Sequence, residues 1–266
     1  MKNVKNIIWI IALILVIVLM AGLVYGYYKK ATIEEKNPVA TMQVEGFGTI
    51  KMELYPKLAP ETVANFVTLA NRGFYDGLTF HRIVKDFMIQ GGDKNGDGTG
   101  SAYISDLKDE GEETAYTIKG EFLANGVKNT LKFEEGVLAM ARSDYSQYSS
   151  SLLEQSYNSG SSQFFIMTKE NSSLNGYYTS FGKVIEGLDV VHRIEEVEVT
   201  TAPVEEGQEV SKNTEVSTPV NPPVITSLRV ETNGIDYGLP ETFEPFDYMT
   251  WLYRQYGLDP STLVSD

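Results

Sequence analysis

The run from Ile7 to Tyr28 covers 22 residues without a charged side chain, and its first fourteen, Ile7 to Met20, are all apolar. As a helix it reaches about 33 Å, enough to cross a hydrocarbon layer of about 30 Å. That feature divides the chain into an apolar helix and a body that must build its own core. A cleaved signal peptide is the other reading, but its apolar region is usually only about 7–15 residues. Cleavage after Gly26 is conceivable, yet no A-x-A stands there and no cysteine can carry a lipid. The expectation is a retained transmembrane anchor over 7–28, after a cytoplasmic 1–6 and before a polar stalk at 29–37. Lys2 and Lys5 precede the run and Lys29 and Lys30 follow it, so the positive-inside rule orients it only weakly. The body is expected outside the cytoplasmic membrane, tethered there, or secreted if the segment is removed.

The body is strongly acidic. Its residues 31–266 hold 18 basic against 36 acidic side chains, which repels phosphate backbones and argues against nucleic-acid partners. Zero cysteines exclude a disulfide scaffold, a thiol nucleophile and thiolate zinc sites. With only His81 and His192, a multi-histidine metal centre is excluded too.

Short β-rich runs with glycine punctuation dominate the body. Val39–Val44 and Thr49–Tyr55 flank a turn at Glu45–Gly48 and read as a hairpin. Pro60 opens a helix with Val63, Phe66, Val67 and Ala70 on one face and Gly73 at its stop. Further strands are expected at Leu78–Ile83, Phe87–Gln90, Gly136–Ala141, Gln163–Thr168, Ser180–Val184 and Val224–Glu231, with a helix at Leu188–Ile194. Gly91–Ser105 and Val197–Val220 read as loops. The pattern points to a mainly β barrel or sandwich with helical caps.

Three motif-like stretches carry less than they promise. Asp93–Gly98 fits the first half of an EF-hand loop, but Ile104 stands where a bidentate Glu is required, so a solvated turn is favoured. Gly96, Gly98 and Gly100 lack the lysine and strand-to-helix context of a phosphate loop. Ser159, Ser161 and Ser162 lack the G-x-S-x-G elbow of a hydrolase.

Three other segments are specific when taken together. They are Phe80–Asp93 (FHRIVKDFMIQGGD), Gly136–Arg142 (GVLAMAR) and Ser162–Ile166 (SQFFI), the last followed by Leu174–Gly176 and Phe181–Val184. In order and spacing they resemble the cyclophilin family of peptidyl-prolyl cis–trans isomerases, as does Pro60–Asp76 before them, over about residues 38–232. The resemblance implies an eight-stranded antiparallel β-barrel capped by two helices. Joined to the N-terminal apolar run, the resemblance gives the expectation of a bacterial, membrane-tethered isomerase acting on proline-containing clients as they fold. The alternative is a cyclophilin-like peptide-binding module or chaperone with little turnover.

The reaction itself asks for little. Rotation about X–Pro crosses about 18–20 kcal/mol and takes tens to hundreds of seconds uncatalysed. No bond is made or broken, so no cofactor, metal or nucleophile is required. A donor aimed at the prolyl nitrogen localises its lone pair and favours the twisted amide, and a guanidinium stays charged while offering fixed donors.

By the resemblance, Arg82 fills that role, with Phe87, Gln90 and Phe165 completing the catalytic set. Met88 and Leu174 join the proline pocket; Ala141, Arg142, Gln163 and Tyr178 bind the peptide around it. Arg142 departs from the usual Asn, and Tyr178 stands where many eukaryotic members have His. Ser173 replaces a Trp that often contributes to cyclosporin binding, so weak cyclosporin binding is expected. His81 reads as a buried structural residue rather than a base.

Two insertions, Ser101–Tyr116 and the tyrosine-bearing Ser143–Ser161, are distinctive. The acidic tail 233–266 carries seven aromatics and a short helix between Pro245 and Gly257, too apolar for a disordered linker. It is expected to dock on the body's own surface, the alternative being a partner-binding segment.

Overall fold

The computed structural model describes residues 2–32, 36–201 and 215–258. Parts of the expected stalk (33–35), loop (202–214) and tail (259–266) lie outside the described residues. The chain forms two compact units, Met1–Lys36 and Asn37–Asp266. The first is a helix, α1, over Lys2–Thr32. It exposes apolar side chains from Ile7 and Trp9 through Tyr25. Among the described residues no helix is long and apolar enough to cross a membrane, so the transmembrane span expected over 7–28 is not borne out.

The second unit is built on an eight-stranded antiparallel sheet that curls into a half-barrel. Its strands are β1 (Val39–Val44), β2 (Gly48–Leu54), β3 (Phe80–Val84), β4 (Met88–Gly91), β5 (Val137–Met140), β6 (Phe164–Met167), β7 (Ser180–Glu186) and β10 (Ile225–Glu231). Their order across the sheet is β10-β1-β2-β7-β5-β6-β4-β3. Backbone bonds near the two edges bring them together: Phe80 N–H donates to Pro223 O at 3.0 Å and Ile225 N–H to Leu78 O at 2.8 Å.

Helix α2 (Pro60–Asn71) buries Val63, Phe66, Val67, Leu69 and Ala70, and α5 (Leu188–Glu195) buries Val190, Val191 and Ile194. Both sets join the core inside the curl, where Phe66 meets Phe164 and Phe181 edge-on at 5.7 and 5.2 Å. Short helices α3 (Ile104–Leu107) and α4 (Leu153–Tyr157) form in the two insertions.

The segment Val197–Val220, read as a loop, instead carries a two-stranded ribbon, β8 (Val199–Thr201) with β9 (Val216–Pro219). These runs of three and four residues are too short to show an alternating pattern. In the tail, α6 covers Tyr248–Gln255. Thr117 and Phe243 exchange backbone bonds at 2.9 Å each way, Tyr145 lies against Phe246 at 5.1 Å and Tyr148 against Tyr248 at 4.5 Å. Phe246 and Tyr248 of the tail therefore pack on Tyr145 and Tyr148 of the 143–161 insertion.

The start of α2 shows long-range capping. Its N-cap is Ala59, which has no side chain to offer, and Pro60 supplies the fixed φ of a first helical residue. The missing acceptor comes from Glu121, whose carboxylate takes Glu61 N–H at 3.0 Å, Thr62 N–H at 2.8 Å and the Thr62 hydroxyl at 2.6 Å. Burial raises the Glu121 pKa, while the bonds from Thr62 and Glu61 oppose that shift. The positive end of the helix dipole also favours the charge there. Replacing Glu121 by Ala strands these buried donors and should destabilise the body by roughly 2 kcal/mol. Urea unfolding should show a lower midpoint at unchanged slope; an unchanged midpoint refutes the capping role.

Candidate active site

Strands β4, β5 and β6 are covered on both faces, and their residues divide by parity. Ile89, Leu138, Met140, Phe164 and Ile166 face the inner core. Met88, Val137, Ala139, Phe165 and Met167 face outward and join Phe133 in a second apolar cluster. Phe87, Ala141, Leu174 and Tyr178 pack at its margin. Two-faced burial yields near-continuous apolar runs such as Phe164–Met167, all four buried.

On β3 strict alternation breaks. Phe80 pairs with Gly91, but Arg82 pairs with Gln90, so His81 is one extra residue against the neighbouring strand. Such a bulge re-aims the side chains beyond it. Phe80 and Ile83 both reach the inner core, while Val84 joins the outer cluster. Arg82 thereby lands on the outer face. The pairings Arg82–Gln90, Gln90–Phe165 and Phe165–Ala139 place these four in one row across four strands.

Arg82, Gln90 and Phe165 of that row line a pocket of about 160 Å³ together with Phe87, Met88, Ala141, Arg142, Leu174 and Tyr178. Phe165 forms the floor, with Phe133 stacked beneath it at 6.1 Å and Tyr178 edge-on at 5.9 Å. The structure thus brings nine of the ten sequence-derived site residues together. The tenth, Gln163, lines an adjoining polar cavity of about 290 Å³ that shares Gln90, Ala141 and Arg142.

A one-directional chain of side-chain hydrogen bonds links the two. Arg82 Nη1 donates to Gln90 Oε1 at 3.1 Å, and Gln90 Nε2 to Gln163 Oε1 at 2.9 Å. Gln163 Nε2 then donates to the carbonyls of Gly100 and Gly98 at 2.9 and 3.0 Å. Each amide's orientation is fixed by its neighbour, which holds the arginine side of the pocket in one arrangement.

Arg142 is placed differently. Its guanidinium lies 4.4 Å from the Tyr178 ring and 5.4 Å from that of Tyr157, and it donates to the carbonyls of Tyr177 and Ser143 at 3.2 Å. Among the described residues no carboxylate lies within ion-pair distance of it. Ser173 is outside the pocket, its hydroxyl donating to Asn171 Oδ1 at 2.6 Å.

The discounted motifs have structural explanations. Asp93 is 1% exposed, and its carboxylate accepts from the N–H groups of Asn95 and Gly98 in its own loop, leaving it committed to a turn. Among the described residues no His, Asp and Glu cluster could hold a metal ion. Ser162 donates to Gly92 O and Ser159 to Ser156 O, while neither ring nitrogen of the buried His81 has a hydrogen-bond partner. No serine–histidine pair forms among them.

The comparisons with known proteins fall on this same body. The model of the cyclophilin type peptidyl-prolyl cis-trans isomerases matches residues 39–221. The chain belongs to the cyclophilin family. Peptidyl-prolyl cis-trans isomerase B of Bacillus subtilis is 42% identical over 146 residues, 55% of this chain and 82% of that protein. The human peptidyl-prolyl cis-trans isomerase-like 1 is 38% identical over 155 residues, 58% and 78% respectively. A crystal structure of a Cryptosporidium parvum cyclophilin type isomerase, determined in the presence of the dipeptide Ala-Pro, matches with a TM-score of 0.53 and 25% identity, over 73% of this chain and 98% of that one. This cyclophilin is accordingly a peptidyl-prolyl cis–trans isomerase, and its mainly β curled sheet is the fold of that family. Its relatives span bacteria and eukaryotes, so they do not carry the expectation of a bacterial, membrane-tethered member.

Sequence reading missed Phe133 and Glu215. Phe133 lies in a stretch without periodicity, so nothing local marks it as the ring beneath Phe165. Glu215 grips Arg82 from 133 residues away.

The two histidines should titrate apart. Burial first, then the Arg82 charge, lowers the His81 pKa below 6.5, against opposing attraction from Asp93 and Asp97. The unfolded chain therefore binds a proton there that the folded one refuses, and stability falls as pH drops below about 6.5. His192 is raised by its bond to Glu195 and then Glu135, so its contribution is present below about 6.5 and lost as pH rises through its folded pKa. In proton NMR of the folded body, one imidazole should titrate below 6.5 and the other above. Two coincident titrations near 6.5 contradict this assignment.

Proposed function

We propose that the pocket holds the proline ring of an extended peptide while Arg82 promotes rotation about the preceding amide. Phe87, Met88, Phe165 and Leu174 give the ring an apolar seat, and Tyr178 closes one side. The Arg82 Nη1 group, beside the pocket residues Gln90 and Met88, donates to the prolyl nitrogen as its lone pair localises in the twisted state. Gln90 binds substrate backbone, Gln163 orients Gln90, and the extended Ala141–Arg142 segment pairs with the peptide. The observation that carries this reading is the cross-strand row, which sets a guanidinium beside a pocket floored by an aromatic ring. The Ala-Pro dipeptide present with the crystallised Cryptosporidium relative supports a proline-containing ligand.

The clients fit an extracytoplasmic setting, with the 7–28 run anchoring the body to a membrane. The support is the uncharged 22-residue sequence and the exposed apolar side chains of α1.

The deciding comparison is the isomerisation rate of a short X-Pro peptide with the native protein and with Arg82→Ala. Removing one preorganised donor should lower kcat by about 10²–10³. Equal rates overturn the role of Arg82. A second comparison concerns cyclosporin, which should bind weakly because Ser173 offers no indole. An aromatic ring buries about 150–250 Å², so Ser173→Trp should tighten binding measurably by calorimetry. No gain in affinity contradicts the placement of Ser173 beside the ligand.

A further inference from the structure

We infer that Glu215, carried by the β8–β9 ribbon, is a positioning residue that fixes the Arg82 guanidinium for isomerisation. This rests on the proposed role of Arg82 and deepens it.

The grip is two-pronged. Glu215 Oε1 accepts from Arg82 Nε at 2.7 Å and Oε2 from Nη2 at 2.7 Å. Paired parallel bonds of this kind constrain the plane of the guanidinium as well as its distance. Glu215 binds the Nε and Nη2 edge, whereas Nη1 is the nitrogen that reaches Gln90, with Met88 Sδ 4.0 Å away. Both of those residues line the pocket and Glu215 does not. The carboxylate therefore holds the far edge of the fork and leaves the second N–H of Nη1, the one not given to Gln90, for substrate.

The ribbon explains how Glu215 arrives there. It immediately precedes β9, which runs beside β3, the strand that carries Arg82. The next backbone tie is Phe80 N–H to Pro223 O, so the register between these segments is set at both ends of the contact. Arg82 is half-buried and Glu215 exposed, with 35% and 48% of their side chains accessible. The bond to Arg82 is also the largest cause holding the Glu215 carboxyl below its usual range. Arg82 stays charged in this pair, whereas Arg142, which also lines the pocket, has no carboxylate in ion-pair distance among the described residues.

The test uses the full-length chain and three variants, Glu215→Ala, Glu215→Gln and Arg82→Ala, with kcat and KM measured on one X-Pro peptide. The inference predicts a kcat about tenfold lower for Glu215→Ala with KM little changed, because the pocket walls are untouched. Glu215→Gln, which keeps the shape and one acceptor, should fall between it and the native protein at unchanged thermal midpoint. The Arg82 Nε–H resonance should be sharp and protected in the native protein and lost to exchange in Glu215→Ala. A Glu215→Ala protein as fast as native, or faster, overturns the inference, the faster result making Glu215 a brake. If Arg82→Ala alone is slow, only the Glu215 role fails; if Arg82→Ala is itself as fast as native, the catalytic reading of Arg82 fails with it.

Discussion

One inserted residue decides which way the arginine points. In a strand, side chains alternate between faces, so Arg82 would otherwise share the inner face with Phe80. The His81 bulge shifts the register between Phe80 and Arg82 by one, and everything after it changes sides. Phe80 stays in the core, Arg82 moves out opposite Gln90, and the chain continues inward again at Ile83. The bulged histidine is 7% exposed, and its burial keeps it from charging easily. This is a local polar cost retained where a functional side chain is re-aimed.

Two-faced burial supplies the rest of the pocket. Because β5 and β6 are covered on both sides, their outward residues can be as apolar as their inward ones. Val137, Ala139, Phe165 and Met167 consequently form a second core outside the first, with Phe133 beneath Phe165. The pocket is the exposed rim of that second core. The seat's floor, Phe165, and its polar groups Arg82 and Gln90 are held by the sheet, whereas the partners that fix those polar groups come from insertions and loops. Gly98 and Gly100 orient Gln163, and Glu215 grips Arg82.

The regular elements were legible because their signals are local. Pro60 marks the start of α2, and β1 and β2 follow their β-rich runs closely. The grouping of the site residues was legible only through the co-linear motifs of the family; by periodicity alone Phe165 and Met88 are simply core residues. What could not be read depends on partners far along the chain. Glu121 caps α2 from 59 residues away, and Glu215 meets Arg82 across 133. A bulge leaves no mark in composition, so the outward turn of Arg82 was given by resemblance, and its cause only by the register. The ribbon within Val197–Val220 went unread because its strands are too short for a period to form.

The bulged strand holds Arg82 over the apolar seat proposed for a proline ring. A crystal structure of the body with a short X-Pro peptide tests it most directly. The proline ring should lie against Phe87, Met88, Phe165 and Leu174, with Arg82 Nη1 within hydrogen-bond distance of the prolyl nitrogen. A ring seated elsewhere on the sheet, or a guanidinium turned away from that nitrogen, contradicts it.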